Sequence, residues 1–200
     1  TRLVSDWSSD VCSSDLPKET LMDKTIRDAF DSRIHSGRTL VTGLPGSGKS
    51  TYAKEYVERA QLENGVSPQL IQLDHIAVKD SDAQWLVDVT RLRHLIGVRP
   101  YNTVVEGTSD NMQDVYRIGK FDTIVLLRPE SNVLRAVYAE RCKDVKNLFQ
   151  TQFCSMADWQ ATKLNAWMEG YFAKKLKPLP SGVSVYKLVR TADNSLVRIN

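Results

Sequence analysis

Two hundred residues, 42% hydrophobic and 26% charged, suit one globular domain able to bury a real core. No apolar run approaches the ~20 residues that span a membrane, and no charged leader followed by an apolar stretch opens the chain, so neither a membrane span nor a secretory signal is expected. A formal net charge of +3 permits a phosphate-rich partner without demanding one.

The first stretch is anomalous. Asp6-Trp7-Ser8-Ser9-Asp10-Val11-Cys12-Ser13-Ser14-Asp15-Leu16 has no helical or strand period. It resembles the conceptual translation of a sequencing-library adapter; a natural disordered tail is the alternative. Residues 1–16 are therefore set aside, and residues 17–200 are expected to form a single domain whose genuine start is Met22 or lies upstream. Setting them aside removes one arginine and three aspartates, so the remainder is more basic than the whole.

From about Lys18 to His35, Met22, Ile26, Phe30 and Ile34 recur every four positions, which predicts an amphipathic helix stopped near Gly37. Thr39-Leu40-Val41-Thr42 reads as a buried strand. It runs into Gly43-Leu44-Pro45-Gly46-Ser47-Gly48-Lys49-Ser50-Thr51, the G-x-x-x-x-G-K-[S/T] pattern, followed by a helix from Ser50 to about Ala60. Glycines here let successive backbone N–H groups turn inward around phosphate oxygens, at a helix N-terminus whose dipole favours anions. Lys49 would reach the β- and γ-phosphates and Ser50 would complete a Mg²⁺ shell. A nucleoside triphosphate site follows; a ligand-free Gly-rich turn is the bland alternative.

Leu70-Ile71-Gln72-Leu73 predicts a second strand ending at Asp74-His75. A helix is expected from about Ser81 to Ile96, with Trp85, Leu86, Val89, Leu92 and Ile96 inward and Arg91, Arg93 and His94 on or beside its outer face. Thr103-Val104-Val105 is a third strand ending at Glu106-Gly107-Thr108, before a polar segment, Ser109 to Lys120. Thr123 to Leu127 is a fourth, closed by Arg128-Pro129, with a helix from about Ser131 into Arg141, Lys143 and Lys146. A helix from about Met156 to Lys175 carries Trp159, Leu164, Trp167, Met168, Tyr171 and Phe172, read as a packing face rather than a stacking platform. Lys174, Lys175 and Lys177 cluster at its end. Val183 to Val189 alternates as a fifth strand, and Asp193-Asn194 turns into a final short segment.

Strands alternating with helices predict an α/β fold with a mostly parallel sheet covered on both faces. Right-handed crossovers then set the strand ends on one edge, with Asp74 and Glu106 beside the phosphate loop. There Asp74 could accept or orient the proton of an attacking hydroxyl, and its alternative is an N-cap or turn residue. His75 is a candidate substrate contact, or a packed or surface histidine. Glu106 could hold Mg²⁺ through water or contact substrate directly, or simply close a turn. Arg141, Lys143 and Lys146 could neutralise phosphate charge, with Arg135, Arg117 and Arg128 as alternatives. Cys12, Cys142 and Cys154 show no paired or metal-ligand spacing, which suits a reducing cytoplasm, with Cys142 and Cys154 in ordinary packing.

From Thr39 to about Tyr186, the phosphate loop, Leu73-Asp74-His75, Val105-Glu106-Gly107-Thr108 and Asp122 to Pro129 resemble the small P-loop kinases, adenylate-kinase-like and polynucleotide-kinase-like proteins in particular. The resemblance implies a three-layer α/β/α fold with five parallel strands in the order 2-3-1-4-5, an ATP·Mg²⁺ site and a lid about 141–156. It makes Lys49 and Ser50 ligands of phosphate and metal, Asp74 the acceptor-side carboxylate and Arg141 the lid cation. The expected activity is ATP-dependent transfer of the γ-phosphate to a hydroxyl on a nucleoside, a small alcohol or nucleic acid, including a hydroxymethylated DNA base. A nucleotide-dependent ATPase or switch module acting with a protein partner is the competing class, and an ATP-binding protein without turnover is a third.

Overall fold

The computed structural model describes residues 37–65, 67–79, 84–99, 101–143, 155–176, 182–193 and 195–199. The adapter-like stretch, the expected helix at 18–35, most of the expected lid and Lys146 and Lys177 lie outside the described residues.

Strand β1 (Arg38–Gly43) enters helix α1 (Lys49–Asn64). Strand β2 (Gln69–Gln72) leads through a 3-10 turn, Leu73–His75, into a short antiparallel hairpin, β3 (Ala77–Lys79) and β4 (Trp85–Val87). Helix α2 (Val89–Val98), β5 (Thr103–Glu106), α3 (Met112–Gly119) and β6 (Thr123–Pro129) follow. Then come α4 (Ser131–Arg141), α5 (Asp158–Lys175), β7 (Ser184–Arg190) and β8 (Leu196–Ile199).

The main sheet among the described residues has six strands in the order β2-β5-β1-β6-β7-β8. Its first five are parallel and follow the expected 2-3-1-4-5 connectivity. The sixth, β8, runs antiparallel to β7, so the expected five-strand count is one short. Its register, Lys187 opposite Ile199 and Arg190 opposite Leu196, is set by the turn at 191–195, where Thr191 donates its amide to the Ser195 carbonyl.

Alternation along the central strands builds two cores. Leu40, Val105, Ile124 and Leu126 face one side, where they meet Leu92 and Ile96 of α2, Met112 and Val115 of α3, Leu134 and Tyr138 of α4, and Met168 and Phe172 of α5. Val41, Val104, Val125 and Leu127 face the other, against Tyr52, Ala53 and Tyr56 of α1 and Leu196 of β8. Because side chains of a strand alternate, a sheet covered on both faces reads as a continuous apolar run. Each fully buried aliphatic side chain contributes about 1.5–3 kcal/mol. Among the described residues no helix is long and apolar enough to cross a membrane.

Two expectations are corrected. The helix expected from Ser81 begins at Val89, because Trp85-Leu86-Val87 pairs with Ala77-Val78-Lys79 as a strand. Asp88 then caps α2, its carboxylate accepting from the amides of Thr90 and Arg91 at 3.0 Å each. In α5, the inward positions are Ala161, Asn165, Met168 and Phe172, whereas Trp159 and Trp167 are each 59% exposed. The 3.6-residue period cannot turn 159 and 167 toward the sheet together with 161, 165, 168 and 172.

Candidate functional site

The parallel strands β1, β2, β5 and β6 end on one edge, and the phosphate-loop residues Gly43 to Thr51 occupy its centre. Gly43 closes β1 so near β6 that a Cβ there would fall 2.2 Å from the Leu127 carbonyl oxygen. Gly46 and Gly48 take φ of 79° and 83°, which L side chains disfavour. Gly48 is the N-cap of α1, no side chain caps that end, and its first turn holds no acidic residue. The amides there are left for an anion. Ser47, fully buried, makes no hydrogen bond through Oγ to a described residue. Lys49 bends back along the loop, donating from Nζ to the Leu44 carbonyl at 2.9 Å.

Burial holds the Lys49 pKa below its ordinary value; the carboxylates of Glu106 and then Asp74 oppose that shift, and the Arg141 guanidinium adds to it. One buried ammonium thus lies in the fields of both strand-end carboxylates and of a cation from α4. Glu106, only 3% exposed, accepts at Oε1 from Ser50 Oγ at 3.1 Å and from Gln72 Nε2 at 3.0 Å. Gln72 is its register partner across β2 and β5. Beyond it, the Gly107 amide donates to Val41 O, and Thr108 Oγ1 donates to Gly43 O at 2.7 Å, tying the end of β5 to the loop.

Asp74 and His75 sit exposed in the turn after β2, anchored by fully buried Leu73. The field of Asp74 reaches Lys49; no described contact carries His75 there. Arg141 ends α4, and its Cζ lies 3.8 Å from the place of a Cβ on Gly46. The alternative cations are engaged elsewhere: Arg117 with Asp114 at 2.7 Å, Arg128 with Glu169 at 2.7 Å, Arg135 with Asp158 at 2.6 Å and Lys143 with Glu140 at 2.6 Å.

Two residues at this edge were not singled out from the sequence. Gln72 was counted only as part of a strand, although it is the last residue of β2, two positions before Asp74. Arg190, the last residue of β7, sets its guanidinium against the loop, with Cζ and Nε 2.8 Å from where a Cβ on Gly48 would be. Burial lowers its pKa, and Glu55 of α1 opposes that. The sequence signal was its position at the end of the fifth parallel strand.

Hard oxygen donors are what Mg²⁺ takes, and it keeps waters and phosphate oxygens rather than an all-protein cage. Ser50 Oγ and Glu106 Oε1, 3.1 Å apart at the helix N-terminus, fit that ion. Among the described residues no group of three or more His, Cys, Asp or Glu could hold a metal by itself. Cys142, directly after Arg141, is disulfide-bonded, which corrects the expectation of ordinary packing; Cys12 and Cys154 lie outside the described residues. Pairing of cysteines is decided by folded proximity, which spacing does not encode.

No family model and no curated protein matches this chain. Among solved structures, it is similar to a protein described as a fructose transport system kinase from Silicibacter sp. TM1040, at 15% identity and TM-score 0.43, over 81% of this chain and 95% of that one. It is similar to YGR205w protein at 12% identity and TM-score 0.42, over 88% and 93%. It is also similar to shikimate kinase from Bacteroides thetaiotaomicron, at 17% identity and TM-score 0.36, over 76% and 86%. At such identities and TM-scores the likeness assigns this chain no activity.

Proposed function

We propose that this protein is an ATP-dependent phosphotransferase that moves the γ-phosphate of ATP to a hydroxyl acceptor, within a single domain of residues 17–200. The observation that carries the reading is the convergence on Lys49: Glu106, Asp74 and Arg141 all act on its buried ammonium at the phosphate-loop edge. A loop that only held nucleotide would have no use for an exposed carboxylate two strands away.

In this reading the amides from Gly43 to Thr51 cradle the phosphates, and Lys49 leaves the Leu44 carbonyl for the β- and γ-oxygens. Ser50 and Glu106 would hold Mg²⁺, which would supply neutralisation of phosphate charge. Asp74 orients the acceptor hydroxyl and takes its proton as the new O–P bond forms. The bond from γ-phosphorus to the bridging oxygen breaks, and ADP leaves. Arg141 offsets charge on the moving phosphoryl group.

The test is transfer of labelled γ-phosphate to a panel of nucleosides, nucleotides, small alcohols and DNA with normal and modified bases. Wild type should label at least one acceptor. Lys49→Ala and Asp74→Asn should each lose transfer, with Asp74→Asn still binding ATP. Full transfer by Asp74→Asn would remove it from the chemistry. Hydrolysis with no labelled acceptor, stimulated by a protein partner, would replace the kinase reading with the switch reading.

A further inference from the structure

The exposed face of α5 is not the surface of a helix whose work is only packing. Its exposed positions include Trp159, Lys163, Trp167 and Lys174, whereas Tyr171 and Lys175 are half-buried at its edge. Trp159 and Trp167 are among the exposed large hydrophobic side chains described. The Trp167 and Tyr171 rings stack at 5.6 Å between centroids, 26° from parallel. Lys163 Nζ lies 4.8 Å from the Trp159 centroid, and Lys175 Nζ 5.7 Å from that of Tyr171. Ala166, Gly170 and Ala173, all exposed, flank Trp167 with low surface, and a Cβ at Gly170 would meet nothing within 4 Å. At 1.5 Å per residue the series from Trp159 to Lys174 extends about 22 Å along the axis.

Charge points the same way. The acidic side chains of this helix are engaged: Asp158 with Arg135, and Glu169 with Arg128 and Lys187. Lys163, Lys174 and Lys175 form no ion pair with a described carboxylate, so the face presents cations between aromatic rings. The series also leads to the strand-end edge. Tyr171 OH donates toward the carbonyls of Asp110 at 3.3 Å and Ser109 at 3.5 Å, in the loop that follows Glu106. Asp110 in turn accepts the Trp85 amide at 2.7 Å, joining that loop to the hairpin after Asp74.

We propose that this face of α5 binds single-stranded nucleic acid, with bases stacked on Trp159 and Trp167 and phosphates met by Lys163 and Lys174. Aromatic faces accept any base, and lysines track the backbone between them. A strand lying on this series is led toward Asp74, which makes the acceptor a polynucleotide hydroxyl; that last step alone rests on the phosphotransferase reading.

The experiment uses the full chain without ATP. Binding of fluorescent oligothymidylate, oligoadenylate and a duplex of equal length is followed by anisotropy over a salt series. Single strands of either base should bind more tightly than duplex, with log K falling by about 0.7 per phosphate contact per decade of salt. Trp159→Ala and Trp167→Ala should each weaken single-strand binding roughly 5- to 150-fold, the range for losing one base stack, and the double variant should weaken it further, while thermal midpoint and far-ultraviolet dichroism stay as in wild type. Lys163→Gln should lower the salt slope by about 0.7 and leave base tolerance unchanged.

Equal binding by the tryptophan double variant, or no preference over duplex, would overturn the proposal. So would a wild-type dimer that this variant turns to monomer with no oligonucleotide bound, which would make the face a contact between copies. Tryptophan emission shielded from quencher in the intact chain would also overturn it, since one of its own segments would then cover the face. A bound oligonucleotide that is never phosphorylated would keep the surface and remove the polynucleotide as acceptor.

Discussion

Arg141 differs from the other arginines near the sheet edge in what its charge meets. Arg117, Arg128 and Arg135 each face a carboxylate within 2.7 Å, so their charge is largely spent locally. The Arg141 guanidinium acts instead on Lys49 and lies beside Gly46. Two cations brought together without a ligand repel, and a triphosphate between them relieves that repulsion. On the proposed phosphotransferase reading, Arg141→Ala is therefore expected to cut the transfer rate by roughly 10²- to 10³-fold, the range for removing one preorganised charge-stabilising group. Arg135→Ala, which loses only an exposed ion pair, should stay within a few-fold of wild type. Steady-state transfer rates of the two variants check this; equal losses would remove Arg141 from its assigned place.

At the scale of elements, what holds the edge together is a set of polar ties that a one-dimensional pattern does not carry. Asn165, buried in α5, donates from Nδ2 to the Pro129 carbonyl at 2.8 Å, fixing that helix to the end of β6. Asn165→Leu leaves that carbonyl without the donor and should cost about 1–3 kcal/mol, read as a shift of the urea midpoint at unchanged slope. A midpoint within error of wild type would mean that water replaces the amide. The central strands were legible because Leu40 to Thr42, Val104-Val105 and Ile124 to Leu127 are buried on both faces, and such runs signal themselves. The Gly-rich turn from β1 into α1 was legible because glycine and lysine at that spacing, between a strand and a helix, form a recognisable pattern. Trp85-Leu86-Val87 was not, since three apolar residues fit a helix turn as well as a hairpin, and only pairing with Ala77 to Lys79 decides. Nor was the outward set of Trp159 and Trp167, because aromatic content alone does not say which stripe of a helix faces the sheet. Gln72 and Arg190 escaped for a related reason: each matters through a neighbour distant in sequence, Glu106 for one and Gly48 for the other.

Taken whole, the molecule is a sheet with tyrosines buried on both faces, and that makes its stability depend on alkali. Burial pushes Tyr56 and Tyr138 up to about 12, and Tyr52 well above the ordinary 10.0. Tyr52 and Tyr56 belong to the layer under α1, whereas Tyr138 belongs to the opposite core. In the unfolded chain these phenols lose their protons near pH 10, while the folded chain keeps them to about 12. The stabilisation is complete below pH 10 and is lost as pH rises through the folded values, by about 2.7 kcal/mol for a two-unit shift. Lys49 works the other way. Its depressed pKa means the unfolded chain holds a proton that the folded one has released, so its contribution improves as pH approaches 10.5. One lysine opposes three tyrosines on two faces, so the tyrosines prevail. Urea unfolding should show stability falling steeply between pH 10 and 12, with the share of tyrosinate absorbance that Tyr56→Phe removes appearing together with loss of structure. Tyr56→Phe should flatten that fall by about one tyrosine's share, at some cost near neutrality because its hydrogen bond with Thr39 is lost. If that share of the absorbance rose near pH 10 in a chain that is still folded, the burial of the Tyr56 phenol against the sheet would be refuted.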